Sequence, residues 1–413
     1  MTKINTLVID FVKWLAICVI VGILVGSISA IFLTLLDNAT TWRERHLWII
    51  YCLPFAGLLI GFVYFKYAGT ANKGNNLLLE EHQFAQNKIP LRMAPLVFAS
   101  TILTHLCGGS AGREGTAVQM GGAIADQFTD IFKLTLTQRK TILIIGISAG
   151  FAAVFGTPIA GAIFAMEIML FKNIKYQDIL PSFATAFIAH YTCLAWNIHH
   201  TTYTIAAIPN TSFSSLIWAA IAGIIFGLTA LLFSYAQLFF SQLFKAIKAV
   251  QFRPVVGGFI LAVIISLIGN TKYVGLGIPS IINAFQQPAG HYDFIIKLLL
   301  TTFTLSAGFK GGEVTPLFFI GATLGNILIW FIPLPMALLA GMGFVAVFAG
   351  ATHCSIASIA LGIEIFGYEA GLFIGIASVF AYFTSGAKGI YSAQLKEGAK
   401  YNVYNYIKRI TQL

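Results

Sequence analysis

Four long, predominantly apolar runs are the strongest constraint on how this chain can fold. They occupy residues 7–36, 47–65, 215–243 and 254–268. A helix needs about 20 mostly apolar residues to cross the hydrocarbon core of a bilayer. The runs are continuous, whereas the strands of a transmembrane barrel alternate apolar and polar residues. The sequence therefore predicts an all-α polytopic membrane protein.

The scarcity of charge supports this prediction. Only 10% of the 413 residues are charged and 58% are hydrophobic, whereas about 25% are charged in an ordinary soluble domain. So few charges cannot cover a water-facing surface, which excludes a soluble enzyme. The 36 Phe residues exclude a disordered chain. At about 30–35 residues for a span and its connection, we expect about a dozen spans.

Glycine and proline interrupt the remaining apolar stretches. The run 141–156 stops before Thr157 and Pro158, and the run 317–332 lies between Pro316 and Pro333. Packing between membrane helices accounts for some of the 39 Gly. Clusters of Gly and Pro also predict tilted, half-length helices that are broken inside the membrane.

The formal net charge of +10 is explained by the positive-inside rule. Basic residues near both ends, Lys3 and Lys396, Lys400, Lys408 and Arg409, predict cytoplasmic termini. A vestibule that attracts anions would also favour positive charge. We expect no nucleic-acid partner. The five cysteines show no CxxC spacing, so neither a disulfide framework nor a metal site is indicated, and no cofactor is expected.

Three sequence matches recur at a spacing of about 200 residues. They pair Gly74 with Gly275, Glu114 with Glu313, and Glu167 with Glu364. Three matches in the same order predict one transmembrane domain, 1–413, made of half-repeats at about 7–200 and 212–391, with a short cytoplasmic tail, 392–413. Inverted repeats with broken helices are a design of secondary transporters.

The Gly-rich segment 108–116 precedes a helix predicted over 117–132. Backbone N–H groups at such a turn, together with a helix N-terminus, can bind an anion without a metal. Glu114 lies in this segment, and an ionisable residue inside a membrane sequence is usually functional. Its carboxylate would occupy the anion site until an anion displaces it or a proton neutralises it. Glu114 is therefore a candidate gate and proton carrier. A salt bridge to Arg113 is the alternative, which the divergent directions of adjacent helical side chains disfavour.

The same segment contains a serine motif that must be weighed against transport. Residues 108–112 match G-x-S-x-G, which would make Ser110 the nucleophile of an intramembrane hydrolase. That motif needs a preceding strand and a paired histidine. The sequence indicates no strand, and His105 is better explained as a structural residue. We therefore predict that the protein is not an enzyme.

Four elements resemble the CLC superfamily of chloride channels and anion/proton antiporters, in the same order. Residues 112–115 match the family's G-R/K-E-G-P element, and 311–316 resemble its G-x-F-x-P element. Residues 389–393 resemble the segment with the pore-lining tyrosine, here Tyr391, and 73–77 stand where the family has G-S-G-I-P. The resemblance implies a CLC-type inverted repeat and a homodimer with one pore per subunit.

Departures from the family pattern indicate a branch. Asn75 stands in place of the anion-coordinating serine, Thr116 in place of proline, and Ile168 in place of an inner proton-transfer glutamate. This combination resembles the bacterial fluoride/proton antiporters and implies a location in the bacterial inner (plasma) membrane. By the same resemblance, Glu114 is the gate, and the anion-binding residues are Asn75, Gly112, Arg113, Gly115, Val314, Thr315 and Tyr391.

Several interpretations stay open from the residues alone. Fluoride holds water tightly, and Asn75, Thr315 and Tyr391 offer N–H and O–H donors that could replace that water. Asn75 could instead cap a helix, and Tyr391 could be an interfacial aromatic residue. The missing inner glutamate fits a passive channel as well as an antiporter. A chloride channel or chloride/proton exchanger is therefore the main alternative to fluoride/proton antiport.

The other acidic residues are expected mainly to have structural roles or to lie in water. Glu167 and Glu364 are expected to share a structural role, such as capping backbone where the halves meet. Glu313 is expected at a helix N-terminus, with a role in the pathway as the alternative. The segment 80–82 is expected at a water-exposed end.

Overall fold

The computed structural model describes residues 3–169, 175–397 and 400–404, with the backbone alone described for 3–8. These residues are largely helical, as predicted. The helices are α1 Lys3–Arg45, α2 Leu53–Val63, α3 Asn75–Phe84, α4 Met93–Leu106, α5 Glu114–Ile131, α6 Leu136–Phe155, α7 Pro158–Ile168, α8 Tyr176–Ala195, α9 Phe213–Lys245, α10 Arg253–Ile268, α11 Ile278–Ala284, α12 Asp293–Ala307, α13 Val314–Ile327, α14 Met336–Thr352, α15 Ser355–Phe366 and α16 Gly371–Thr384.

The helices differ greatly in length, as the broken apolar runs predict. Within the described residues, five helical segments are long and apolar enough to cross a membrane, and the longest has 37 residues, Ile9–Arg45. Several others, such as Pro158–Ile168 and Ser355–Phe366, are apolar but shorter. The expected dozen full spans is therefore too many, because many apolar runs form half-length helices.

A glycine and a proline produce the break between α6 and α7. Gly156 has φ +77° and closes α6 by donating its N–H to the Ala152 carbonyl at 2.9 Å. Pro158 then takes the first position of α7, where no backbone N–H is needed. The chain thereby starts a second helix, α7, within an apolar part of the sequence.

Helix contacts occur in duplicate along the chain. The hairpin α5–α6 has a counterpart in α13–α14, and the packing of α1 on α8 has a counterpart in α9 on α16. In both hairpins glycines let the backbones touch. A β-carbon on Gly121 would lie 2.1 Å from the Gly146 carbonyl oxygen, and one on Gly321 would lie 1.9 Å from that of Gly343. This duplication supports the predicted half-repeats.

Two carboxylates connect the halves reciprocally. Glu167, near the end of α7, accepts the N–H groups of Ile356 and Ala357 in the first turn of α15 at 3.0 and 2.7 Å. Glu364, near the end of α15, accepts the N–H groups of Ile159 and Ala160 in the first turn of α7 at 3.0 and 2.6 Å. The structure therefore shows the shared capping role expected for this pair.

The expectation that 80–82 lies at a water-exposed end is wrong for Glu81 and His82, whereas Glu80 is partly exposed. Glu81 and His82 are buried, and Arg139 donates to Glu81 at 3.2 Å and to Asp126 at 2.8 Å. Glu81 is buried because an arginine from another helix compensates its charge. Nothing near Glu81 in the sequence indicates that partner, which lies 58 positions away.

The tail is described only in part. Lys400 is buried and donates to the Ser385 hydroxyl at 2.8 Å. It therefore holds the start of the tail against the end of α16. Lys408 and Arg409, which supported the predicted cytoplasmic terminus, lie outside the described residues.

Candidate functional site

Three helices begin close together, and their first turns contain most of the predicted site residues. Asn75 is the first residue of α3, Glu114 the first of α5 and Val314 the first of α13. The helix predicted over 117–132 therefore starts one turn earlier, at Glu114. Since a helix N-terminus carries about half a positive charge, the junction of three N-termini favours an anion.

Glycine permits this convergence. A β-carbon on Gly115 would lie 3.1 Å from the Asn75 amide nitrogen and 3.1 Å from the Gly312 α-carbon. Gly112 and Gly312 exchange two backbone hydrogen bonds, at 2.6 and 2.8 Å, in an antiparallel bridge. Backbones from the two halves therefore meet directly beside Glu114.

Glu114 is 1% exposed, and its carboxylate lies among donors. One oxygen, Oε2, accepts the backbone N–H groups of Arg113 at 3.0 Å and Thr315 at 3.1 Å. The other, Oε1, accepts the Thr315 hydroxyl. These donors come from the first turns of α5 and α13. They form a cup in which a negatively charged group is already bound.

Arg113 lies closer to Glu114 than the divergent directions of adjacent helical side chains predict. Its Nε lies 3.9 Å from Oε1, at the outer limit of an ion pair, and makes no hydrogen bond to any residue that the structure describes. The stronger contact is the one from the Arg113 backbone N–H. The arginine therefore adds positive charge near the carboxylate without a direct side-chain hydrogen bond.

Asn75 does not cap its helix. The N-cap position is Gly74, and no side-chain capping bond is present at this end of α3. The buried Oδ1 of Asn75 has no hydrogen-bond partner among the described residues. The capping interpretation is therefore wrong, and the amide is held beside Gly115 without a structural hydrogen bond through its oxygen.

Two further groups extend the site. Glu313 is the N-cap of α13, as predicted, and interacts with Gln237 and with the charge of Glu114. Tyr391 is buried, and the charges of Glu313 and Glu114 act on it. The structure thus brings Tyr391 into the same buried region as Glu114 and Glu313.

The hydrolase alternative lacks its base. Ser110 Oγ lies 2.9 Å from the hydroxyl of Thr301, whereas the ring of His105 contacts the Gly112 carbonyl at 3.3 Å. Ser110 therefore contacts α12, and His105 contacts the loop that leads to Glu114. No nucleophile–histidine pair forms between them.

Two cavities lie over the carboxylate. A wide vestibule of about 1040 Å³ is lined by the C-terminal end of α1, the loop after α8 and the segment 270–283. Beneath it, a cavity of about 40 Å³ is lined by Glu114, Thr315 and several aromatic rings, including Phe318. Arg113 and His200 line both cavities. Sequence reasoning missed His200, because its role depends on where a loop folds.

Residues 56–386 match a family model described as voltage gated chloride channel. A chloride/fluoride channel protein of Pseudomonas syringae pv. tomato is 46% identical over 389 residues, which cover 92% of this chain and 86% of that protein.

Two solved structures are also similar to this chain. A CLC-type fluoride/proton antiporter is 33% identical, with a TM-score of 0.90 over 95% of this chain and 99% of the other. A slow cyanobacterial Cl⁻/H⁺ antiporter is 20% identical, with a TM-score of 0.79 over 97% and 99%. The second likeness concerns the fold alone.

Proposed function

Because the chain belongs to the voltage-gated chloride channel family, we propose that it is a secondary active antiporter that exports fluoride in exchange for protons. Two relatives support this assignment. The 46% identical relative is named for chloride and fluoride, and the 33% identical structure is that of a fluoride/proton antiporter.

The observation that carries the proposal is the cup around Glu114. Two backbone N–H groups and one hydroxyl point at one carboxylate at the junction of helix N-termini. An anion that replaces the carboxylate would receive the same donors. Anion and ionised Glu114 therefore compete for one position.

This competition couples proton binding at Glu114 to anion binding. A proton that binds Glu114 removes the charge that attracts the carboxyl group to the donors, so the side chain can leave and an anion can enter. When the anion leaves, the carboxylate returns after releasing its proton. If proton and anion are released on opposite sides, fluoride leaves the cell as protons enter. The inward proton gradient of a bacterium would drive this exchange.

Fluoride is proposed because the site offers compact hydrogen-bond donors. The Thr315 hydroxyl and the Asn75 amide can replace water around a small, strongly hydrated ion. We assign anion binding to both, together with the backbone of Gly112, Arg113, Gly115 and Val314. Tyr391 is proposed to close the same site with its hydroxyl.

The proposed setting is the bacterial plasma membrane, where the protein would form a homodimer with one pore per subunit. A cytoplasmic N-terminus would place the C-terminal end of α1 on the opposite side. The vestibule lined by residues 33–44 would then open to the outside.

Ion efflux from proteoliposomes tests the function. We expect rapid fluoride efflux, slower chloride efflux, and proton uptake that depends on fluoride efflux. A fluoride electrode, a chloride electrode and a pH electrode measure the three fluxes. Equal rates for the two anions would contradict the fluoride assignment.

A passive channel is the second candidate. Ile168, which stands where exchangers carry an inner glutamate, is a buried apolar residue at the end of α7. The name of the 46% identical relative also refers to a channel. Fluoride efflux without any proton uptake would favour this candidate over antiport.

A further inference from the structure

His200 lies where the wide vestibule meets the small cavity that contains Glu114. It belongs to the loop between α8 and α9, and its side chain is half-buried. The residue lines both the cavity of about 1040 Å³ and the cavity of about 40 Å³. The imidazole therefore lies, with Arg113, Thr201 and Ile278, where the two cavities meet.

The ring is held in one orientation. The Val154 backbone favours the protonated ring, and the buried Nε2 has no hydrogen-bond partner among the described residues. In the tautomer with its proton on Nδ1, Nε2 therefore has a free lone pair. A β-carbon on Gly156 would lie 2.4 Å from the ring. The imidazole of His190 stacks on the imidazole of His200, and the two ring centroids are 5.9 Å apart.

We propose that His200 is a proton-relay residue that passes protons from the vestibule to Glu114. This inference rests on the proposed role of Glu114 as proton carrier. Nε2 accepts a proton from a water molecule that has entered the smaller cavity from the vestibule, and the ring becomes an imidazolium. That proton then moves to the Glu114 carboxylate, which leaves a neutral imidazole and a neutral carboxyl group. A cavity of about 40 Å³ has room for one or two bridging waters.

The charges around His200 fit a relay. Arg113, His190 and His199 face the ring and oppose its protonation. Burial, followed by Arg113, lowers the pKa of His200 to about 4. At neutral pH the imidazole is therefore uncharged and free to accept a proton. An imidazolium formed there is unstable and passes its proton on towards the nearby carboxylate.

A purely structural role would make a different prediction. If His200 only seals the cavity, its replacement would disturb fluoride binding, and no added proton carrier would restore transport. A relay predicts that fluoride binding persists and that small buffer molecules can replace the imidazole. One set of measurements therefore distinguishes the proton-relay role of His200 from a structural role.

The test uses His200→Gln and His200→Ala in proteoliposomes, with His199→Gln as the matched control. His199 is exposed and lines the vestibule but not the smaller cavity. At pH 7.5 we expect both His200 variants to slow coupled fluoride efflux and proton uptake about tenfold or more. External imidazole should restore much of the rate of His200→Ala, which leaves space for it. Acidification of the vestibule side should speed the wild type more than His200→Gln. His199→Gln should stay within about twofold of the wild type, because the charge of His199 has the smallest effect on His200 among the neighbouring charged groups.

Two results would overturn the relay. One is a His200→Gln variant that matches the wild type at every pH. The other is a loss of transport that imidazole leaves unchanged and that accompanies weaker fluoride binding by calorimetry, which would assign His200 to packing. Failure of the proposed function itself would be visible in the wild type, as fluoride efflux without proton uptake.

Discussion

The hydroxyl of Thr315 donates a hydrogen bond to the carboxylate of Glu114, although the two residues are 201 positions apart in the chain. Each residue lies in the first turn of its helix, one in each half of the protein. The bond therefore joins the proposed gate in the first half to an anion-binding group in the second. A change at either residue should alter both anion affinity and gating.

Thr315→Val should weaken fluoride binding. The substitution removes the hydroxyl and keeps the backbone N–H and the volume of the side chain. A hydrogen bond to a charged group is worth about 1.5–3 kcal/mol, so we expect affinity to fall about 10- to 100-fold by calorimetry. Thr323→Val is the control, since that hydroxyl on the same helix donates to the Phe319 carbonyl at 2.7 Å. Equal effects of the two variants would contradict the assignment.

Glu114→Gln should abolish proton coupling. The amide cannot carry a proton through a cycle, and its NH₂ group opposes the donors that now face the carboxylate. We expect proton uptake per fluoride moved to fall to the level of empty liposomes. Glu44→Gln is the control, because that carboxylate is 57% exposed in the vestibule. Proton coupling that survives Glu114→Gln would place the proton pathway elsewhere.

Asn75→Ser should shift anion selectivity. Serine shortens the side chain and replaces the amide with one hydroxyl, so the donors move away from Gly115. We expect the ratio of fluoride to chloride efflux to fall several-fold, measured with both electrodes on the same liposomes. An unchanged ratio would remove Asn75 from the selectivity site.

Gly115→Ala should impair transport without preventing folding. Its new methyl group would lie 3.1 Å from both the Asn75 amide and the Gly312 α-carbon, which must move apart. Such overpacking costs about 1–3 kcal/mol. We expect fluoride efflux to fall about tenfold while the protein stays monodisperse in detergent. Gly375→Ala is the control, since its methyl group would meet only a side-chain carbon at 4.0 Å.

Glu167→Gln and Glu364→Gln should each lower the free energy of unfolding by a similar amount, about 2 kcal/mol. Each change replaces a carboxylate that accepts two backbone N–H groups with an amide that offers one acceptor and an opposing donor. Thermal unfolding in detergent measures the loss. Glu369→Gln is the exposed control. A loss at only one of the two sites would contradict their reciprocal role.

The sequence predicted the local parts of the site well. Gly-rich turns followed by apolar runs located the helix N-termini near Glu114 and Thr315, and the duplicated spacing of acidic residues indicated a shared capping role for Glu167 and Glu364. These features could be predicted because backbone geometry depends mainly on neighbouring residues. The start of α5 was placed one turn late, since glycines at 112 and 115 obscured the first helical residue.

Features that depend on distant partners could not be predicted. Glu81 was expected in water, because nothing near it in the chain indicates that Arg139 neutralises its charge. Asn75 was weighed as a helix cap, because its nearness to Gly115 exists only after folding. His200 received no role, since a loop histidine becomes informative only when both cavities are known.

The bridge between Gly112 and Gly312 also bears on how the protein is made. The donors around Glu114 are complete only when residues 312–315 have reached the membrane and met the first half. During synthesis the inserted first half therefore holds an acidic side chain but no finished ion pathway. A membrane that contains only partly synthesised chains should therefore remain impermeable to protons. Ion permeability should appear in a single late step of assembly.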